Sequence, residues 1–288
     1  MTADSETLVV AAYVFAKELP SPTSVGRPPL VEDEELIALA VAQAASGICS
    51  DRQFLGMVGR LLPGWFAHLP DQSQYNRRLR ALTPRLVWVQ QRLATLLASG
   101  ELRIADGTLI GVANYAGCAA RSEFAGSAAY GYCAAKSRYY WGVRLVLLTD
   151  RRGLPLGYTL VPANEREYEP VRELAVGAGS PALIADKGLW GREYAETLSL
   201  QGVSIRTPDR RRTAENRKRE RCLASLRLVI ESTIANLKCQ MRLEQHLAKT
   251  PDGLIARIAA RMLALTLGML LNALLGRPPR SLVAYDGR

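Results

Sequence analysis

The sequence predicts a mixed α/β protein: an all-helical region up to about Gly100, then a mixed sheet flanked by helices. Three observations lead there. Up to Gly100 the apolar residues recur at helical spacing between capping residues. Beyond it, short runs rich in Val, Ile, Leu and Tyr, bounded by turn residues, replace that period. From about Glu165 onward, short apolar strands alternate with helical segments, the pattern of a sheet covered by crossover helices.

In chain order, a short first helix ends at a linker marked by Pro20, Pro22, Pro28 and Pro29. Residues 32–45 form the next helix, opened by acidic side chains and carrying Leu36, Leu39, Val41 and Ala44 at apolar positions. Ser50 caps a helix running through Arg60, and Asp51 suits the positive N-terminus of that helix. Asp71 caps the segment DQSQYNRRLRAL, and Thr83-Pro84 opens a helix that stops at Ser99-Gly100. Several short helices, one bearing Arg77, Arg78 and Arg80, fit a helix-turn-helix-like DNA reader; an ordinary helical bundle accounts for the same count. After Gly100, residues 102–105, 140–148 and 154–161 read as strands, the last two joined through TDRRG as a hairpin. Helices at 165–176 and 192–201 alternate with strands at 181–185 and 203–206, and long helices at 222–242 and 254–275 follow. The order is βββαβαβαα.

The 288 residues, 48% hydrophobic and 22% charged, are enough to bury a sizeable core. Residues 8–16 follow Asp4 and Glu6, which makes them a poor signal peptide. Residues 262–275 are too short to span a bilayer, with Arg257 and Arg261 in their approach, so a buried helix is expected there and no membrane partner. Five scattered cysteines without a C-x-x-C pair suit a reducing cytoplasm, and two histidines argue against a His-based zinc site.

Charge narrows the partner. Lys plus Arg number 37 against 27 Asp plus Glu, a net +10. The first 60 residues hold four basic and eight acidic side chains, so the surplus lies entirely in the remainder. It is densest in RTPDRRRTAENRKRER at 206–221, with eight basic and three acidic groups. That run reads as a solvated loop or as a phosphate-binding segment through Arg210, Arg211, Arg212, Arg217, Lys218 and Arg219.

Three acids occupy positions to which this topology gives meaning. Asp106 ends the first strand in ELRIADGTLI, Asp186 ends a later strand in PALIADKG, and Glu231 lies within the helix RLVIESTIANLK. Polar side chains at the carboxyl ends of neighbouring strands converge on one crevice. Each also has a plainer account: Asp106-Gly107 as a hairpin turn, Asp186 as a cap for the following turn, Glu231 as a surface partner of Arg227. Arg227, Glu231 and Lys238 form a stripe beside the apolar one made by Leu223, Leu226, Ile230, Ile234, Leu237 and Met241. Arg preceding Glu is the weaker order for a simple surface pair, whereas a carboxylate flanked by two cations suits metal and phosphate. Phosphodiester cleavage can use two divalent cations about 4 Å apart, held by carboxylate oxygens without any histidine.

The segments IADGTLIGVA, GYCAAKSRYYWGVRLVLLTDRRGLPLGYTLVPAN, LIADKGLWG and RLVIESTIANLKCQMRLEQHLAKTPDGLIARIAARMLALTL resemble bacterial insertion-sequence transposases of the DDE type, in particular the insertion-sequence family numbered nine-eight-two. The resemblance runs in order from about residue 31 to 275 and includes LPDQSQYNRRLRAL. It implies an RNase H-like catalytic domain at 101–275, preceded by an N-terminal helix and linker at 1–30 and a helical DNA-binding region at 31–100. A C-terminal tail at 276–288 follows. Carried over by motif, Asp106, Asp186 and Glu231 would be the catalytic residues that bind two Mg²⁺ or Mn²⁺ ions. Arg227 and Lys238 reproduce the family's R-x3-E-x6-K helix signature, while Ala224 and Leu189 stand where related chains often carry aromatic residues. The implied reaction is cleavage at the element's terminal inverted repeats and joining of the 3′-OH ends to target DNA. The implied partners are both duplex DNAs and a second copy of the chain. A stand-alone RNase H-like nuclease and a non-catalytic DNA-binding regulator are the alternatives; a carboxylate glycosidase leaves the positive charge unexplained.

Overall fold

The computed structural model describes residues 3–19, 29–113, 116–133, 137–189, 191–209 and 217–286. In chain order the elements are α1 (Ala3–Ala16), α2 (Asp33–Ser46), α3 (Asp51–Leu61), α4 (Gln72–Ala81), α5 (Thr83–Leu97), β1 (Leu102–Ala113), β2 (Ala129–Cys133), β3 (Arg138–Thr149) and β4 (Pro155–Pro162). There follow α6 (Tyr168–Gly177), β5 (Ala182–Ile184), α7 (Arg192–Leu200), β6 (Ser204–Arg206), α8 (Arg217–Ala235) and α9 (Pro251–Leu274). The chain divides into two compact units, Met1–Leu96 with Asn236–Arg288, and Leu97–Ala235.

The first unit is helical. α2 is apolar on nearly every side, with Leu36, Ile37, Leu39 and Val41 fully buried, because it packs against both α1 and α9. Ser50 and Asp71 cap as their sequence positions predict: Ser50 Oγ accepts the Gln53 N–H at 3.3 Å, and Asp71 Oδ1 that of Gln74 at 2.8 Å. Asp51 does more than favour a helix end. Its buried carboxylate accepts from Gln43 Nε2 at 2.8 Å, Asn76 Nδ2 at 2.8 Å and Arg257 Nη2 at 2.5 Å, which ties α2, α3, α4 and α9 together.

α9 is long and apolar enough to cross a membrane by length and composition, with a mean hydropathy of 1.8, yet 83% of that window is buried within the protein. It is a core helix. The segment after it docks back on α9: Asn272 Nδ2 donates to the carbonyls of Pro279 (3.1 Å) and Ser281 (2.8 Å), and its Oδ1 accepts from Tyr285 at 2.9 Å. Gly268 makes room for this segment, since a Cβ there would stand 2.7 Å from Leu282.

The second unit is built on a six-stranded mixed sheet in the order β2-β3-β1-β5-β6. β4 pairs with the second half of the same β3 edge whose first half holds β2. β1 runs antiparallel to β3 and parallel to β5, and β5 is parallel to β6. On one face Ala105, Val146, Leu148 and Leu183 pack under Val171 and Ala175 of α6 and Leu198 of α7. The side chains that alternate with these on β1, namely Ile104, Asp106, Thr108 and Ile110, point to the opposite face, and α8 packs on β1 from there. Thr233 Oγ1 of α8 donates to the Gly153 carbonyl at 3.0 Å, fixing that end of the helix at the β3–β4 turn. That turn is the TDRRG hairpin. Asp150, fully buried, accepts the N–H groups of Arg152 (2.8 Å) and Leu154 (3.0 Å) within it.

Three details depart from the sequence-based expectation. β1 continues to Ala113 instead of stopping before Asp106, so Asp106-Gly107 is interior strand and not a turn. β2 is an additional strand. The helix expected at 222–242 starts earlier, at Arg217, and winds as an α-helix only to Ala235, after which Asn236–Gln240 form a π-helical turn.

Candidate active site

The two aspartates are brought together by strand register. The parallel ladder between β1 and β5 pairs Leu102 with Ala182, Arg103 with Leu183 and Ile104 with Ile184. Asp106 and Asp186 each lie two residues beyond that last rung, where neighbouring strands are about 4.8 Å apart. Beyond Ile184 the chain leaves the sheet: the Asp186 carbonyl accepts the Leu189 N–H at 3.0 Å, and Leu189 is buried in the core under α6 and α7. The Tyr168 hydroxyl donates to the Gly188 carbonyl at 2.9 Å and clamps the same turn from α6.

Glu231 joins them through an arginine. Arg227 Nη2 on α8 stands 3.0 Å from Asp186 Oδ1 and 3.8 Å from Glu231 Oε1, so one guanidinium links the strand end to the helix carboxylate. Arg227 is mostly covered, whereas Asp186 is about a third exposed and Glu231 about half (24%, 37% and 49% of the side chain). The carboxylates therefore face solvent on a guarded cation.

Asp106 is the unusual acid. Burial pushes its carboxyl up to about 6; the Gly107 N–H, donating to Oδ1 at 2.8 Å, opposes the rise. The charge of Glu167 raises it further, Arg227 pulls it down, and Asp186 raises it. Glu167 is a fourth carboxylate that the sequence does not single out. It precedes α6, pairs with Arg144 of β3, and lies over the backbone of Gly107, where a Cβ would come within 2.5 Å of Oε1. Its only sequence signal is an acid placed between the end of a strand and the start of a helix.

The other predicted contacts are dispersed. Arg217 and Lys218 are exposed at the start of α8, and Arg219 pairs with Asp209 at 3.0 Å. Glu220, buried, accepts the Asp209 N–H at 3.0 Å and so fixes the chain leaving β6 against the first turn of α8. Arg210, Arg211 and Arg212 lie outside the described residues. In the helical unit, Arg77 and Arg80 are exposed on α4, while Arg78 is engaged by Asp33 at 2.6 Å. Lys238 lies on the π-helical turn and pairs with Glu244 at 3.1 Å. The winding there is i→i+5, with Met241 N–H donating to Asn236 O at 3.1 Å, where the sequence leads one to expect α-helix.

Among the described residues, no three His, Cys, Asp or Glu side chains stand close enough together to hold a metal ion. In kind, the donor set of Asp106, Asp186 and Glu231 consists of carboxylate oxygens alone, the ligands that hard divalent cations take. Arg227 already satisfies two of the three.

A mixed sheet with acids just past the last β1–β5 rung thus faces a helix that bears an arginine and a third acid. The chain belongs to the transposase DDE domain family, whose model matches residues 98–267. No curated protein matches the chain.

Proposed function

We propose that this transposase binds the terminal inverted repeats of its own mobile element, hydrolyses a phosphodiester there and joins the freed 3′-OH to target DNA. The observation that carries the reading is the common offset of Asp106 and Asp186 from the last β1–β5 rung, with Arg227 connecting Asp186 to Glu231. The sheet order and the resemblance to the insertion-sequence family numbered nine-eight-two support an RNase H-like core.

Although they do not stand as a formed metal cluster, Asp106, Asp186 and Glu231 would be the ligands of two Mg²⁺ or Mn²⁺ ions, which would supply charge stabilisation to the attacking and leaving oxygens. The remaining work falls to the chain's own side chains. Arg227 balances the carboxylates as they stand, and once their oxygens are otherwise neutralised its guanidinium is left to a DNA phosphate. Arg217 and Lys218, together with the basic residues Arg210, Arg211 and Arg212, lead the DNA backbone to the site. Arg77 and Arg80 supply backbone contacts from the helical unit, and synapsis of two ends calls for a homodimer.

Strand cleavage of a duplex carrying the element's end, with Mg²⁺ or Mn²⁺, tests the assignment. Asp106→Ala and Asp186→Ala each lower the cleavage rate by roughly a hundred-fold or more while the duplex is still bound. Undiminished cleavage by Asp186→Ala would overturn the site.

A further inference from the structure

Three of the most exposed aromatic side chains lie together on the β2–β3 ladder. Tyr130, Tyr132 and Tyr139 are 47%, 53% and 71% exposed. Tyr132 and Tyr139 are register partners whose ring centroids stand 5.1 Å apart, and Tyr130 pairs with Trp141, which is buried and anchors the row. Single exposed rings are ordinary, but a contiguous exposed row of them marks a contact surface.

Their place in the sheet indicates what meets that surface. Tyr139 and Trp141 alternate along β3 with the residues that face α6, so they share a face with Val143, Leu145 and Leu147. Leu147 is the register partner of Asp106. The tyrosine row thus lies on the face that carries Asp106, about 26 Å further along β3 at roughly 3.3 Å per residue. α8 packs on this face too. Its Thr233 end is fixed at the β3–β4 turn and Arg227 sits level with Asp186, so its N-terminal half extends toward the same end of the sheet as the tyrosines. That half carries the exposed Arg217, Lys218 and Arg221, none with an ion-pair partner among the described residues.

We propose that Tyr130, Tyr132 and Tyr139 form a stacking platform for the unpaired bases of a DNA strand, with the basic start of α8 holding the phosphates between platform and carboxylates. Aromatic faces accept any base, and cations beside them track the backbone, which is the chemistry of single-stranded DNA binding. The proposal rests on the transposase reading, because it takes the carboxylates as the place where the strand is cut.

The test uses the full chain, a fluorescein-labelled oligothymidylate and a blunt duplex of the same length, with affinities measured by anisotropy at one salt concentration. Tyr139→Ala and Tyr132→Ala each weaken oligothymidylate binding roughly ten-fold and leave duplex binding unchanged, whereas Tyr139→Phe keeps wild-type affinity for both. Wild-type affinity in both alanine variants, or an equal loss for the two DNAs, overturns the platform. Photocrosslinking with iodouracil in the oligothymidylate gives a second readout: label on the peptides of β2 and β3 supports it, and label only elsewhere overturns it. The two readings fail separately. Tyrosine-dependent binding without cleavage of any end-bearing duplex overturns the transposase assignment, and normal cleavage with tyrosine-independent binding overturns the platform alone.

Discussion

Asp106 keeps its proton up to about pH 6 in the folded chain, while its ordinary value is 3.8. The folded state therefore binds more protons than the unfolded state between those limits. Its contribution to stability is complete below pH 4 and is lost as pH rises through 6, a change of about 3 kcal/mol. Asp106→Asn has no such charge to bury. In the presence of a chelator its thermal midpoint stands above that of wild type at about pH 8 and level with it at about pH 4. Added Mg²⁺ narrows the gap at the higher pH by stabilising the wild type alone. A variant no more stable than wild type at high pH would mean that the carboxylate is better solvated than its surroundings indicate. Asp106 is thus held at the expense of stability, mainly through its burial, and the negative charge of Glu167 adds to that cost.

Among the elements, α3 depends on its buried Asp51 for contacts to three other helices. Asp51→Ala leaves the Arg257 guanidinium, 13% exposed, without its carboxylate, and should cost about 3–5 kcal/mol, read as a lower denaturation midpoint. Asp51→Asn keeps part of the hydrogen bonding and should cost less. The sequence reports Asp51 only as a favourable residue at a helix start, because its partners Gln43, Asn76 and Arg257 come from three other helices. Local signals were legible: the Ser50 and Asp71 caps, the TDRRG hairpin and the short strand before Asp186 depend on neighbours in the chain, whereas the expected end of the first strand at Asp106 was overturned by its continuation to Ala113. β2 was not, since five residues containing Gly131 at an edge carry too little pattern, and only pairing with β3 makes them a strand. Nor was Glu167, whose meaning depends on an approach across the sheet to Gly107. The three carboxylates stand out in the sequence by motif, but the guanidinium bridge between two of them arises only where α8 meets the end of β5.

At the scale of the molecule, the net +10 is a surplus held outside the first 60 residues. If the start of α8 meets DNA phosphates, replacing Arg217, Lys218 and Arg221 by Gln should flatten the salt dependence of duplex binding by up to about 2.7 in the log–log slope. The measurement is a titration across salt concentrations, and an unchanged slope would remove α8 from the interface. The distribution of charge also separates roles within the helical unit, where Arg78 is engaged by Asp33 while Arg77 and Arg80 are exposed.

The helical unit is drawn from two stretches of the chain, with α2 packed on α9, and the sheet unit lies between those stretches in the sequence. During synthesis the sheet unit has all of its strands as soon as Ala235 has emerged, whereas α1 and α2 must wait for α9 and for the segment that closes over Gly268. A ribosome that stops early releases a chain holding both aspartates and Glu231 but lacking the core of its other unit. The helices after Ala235 thus decide whether a nascent chain that already holds its sheet can also close its helical core.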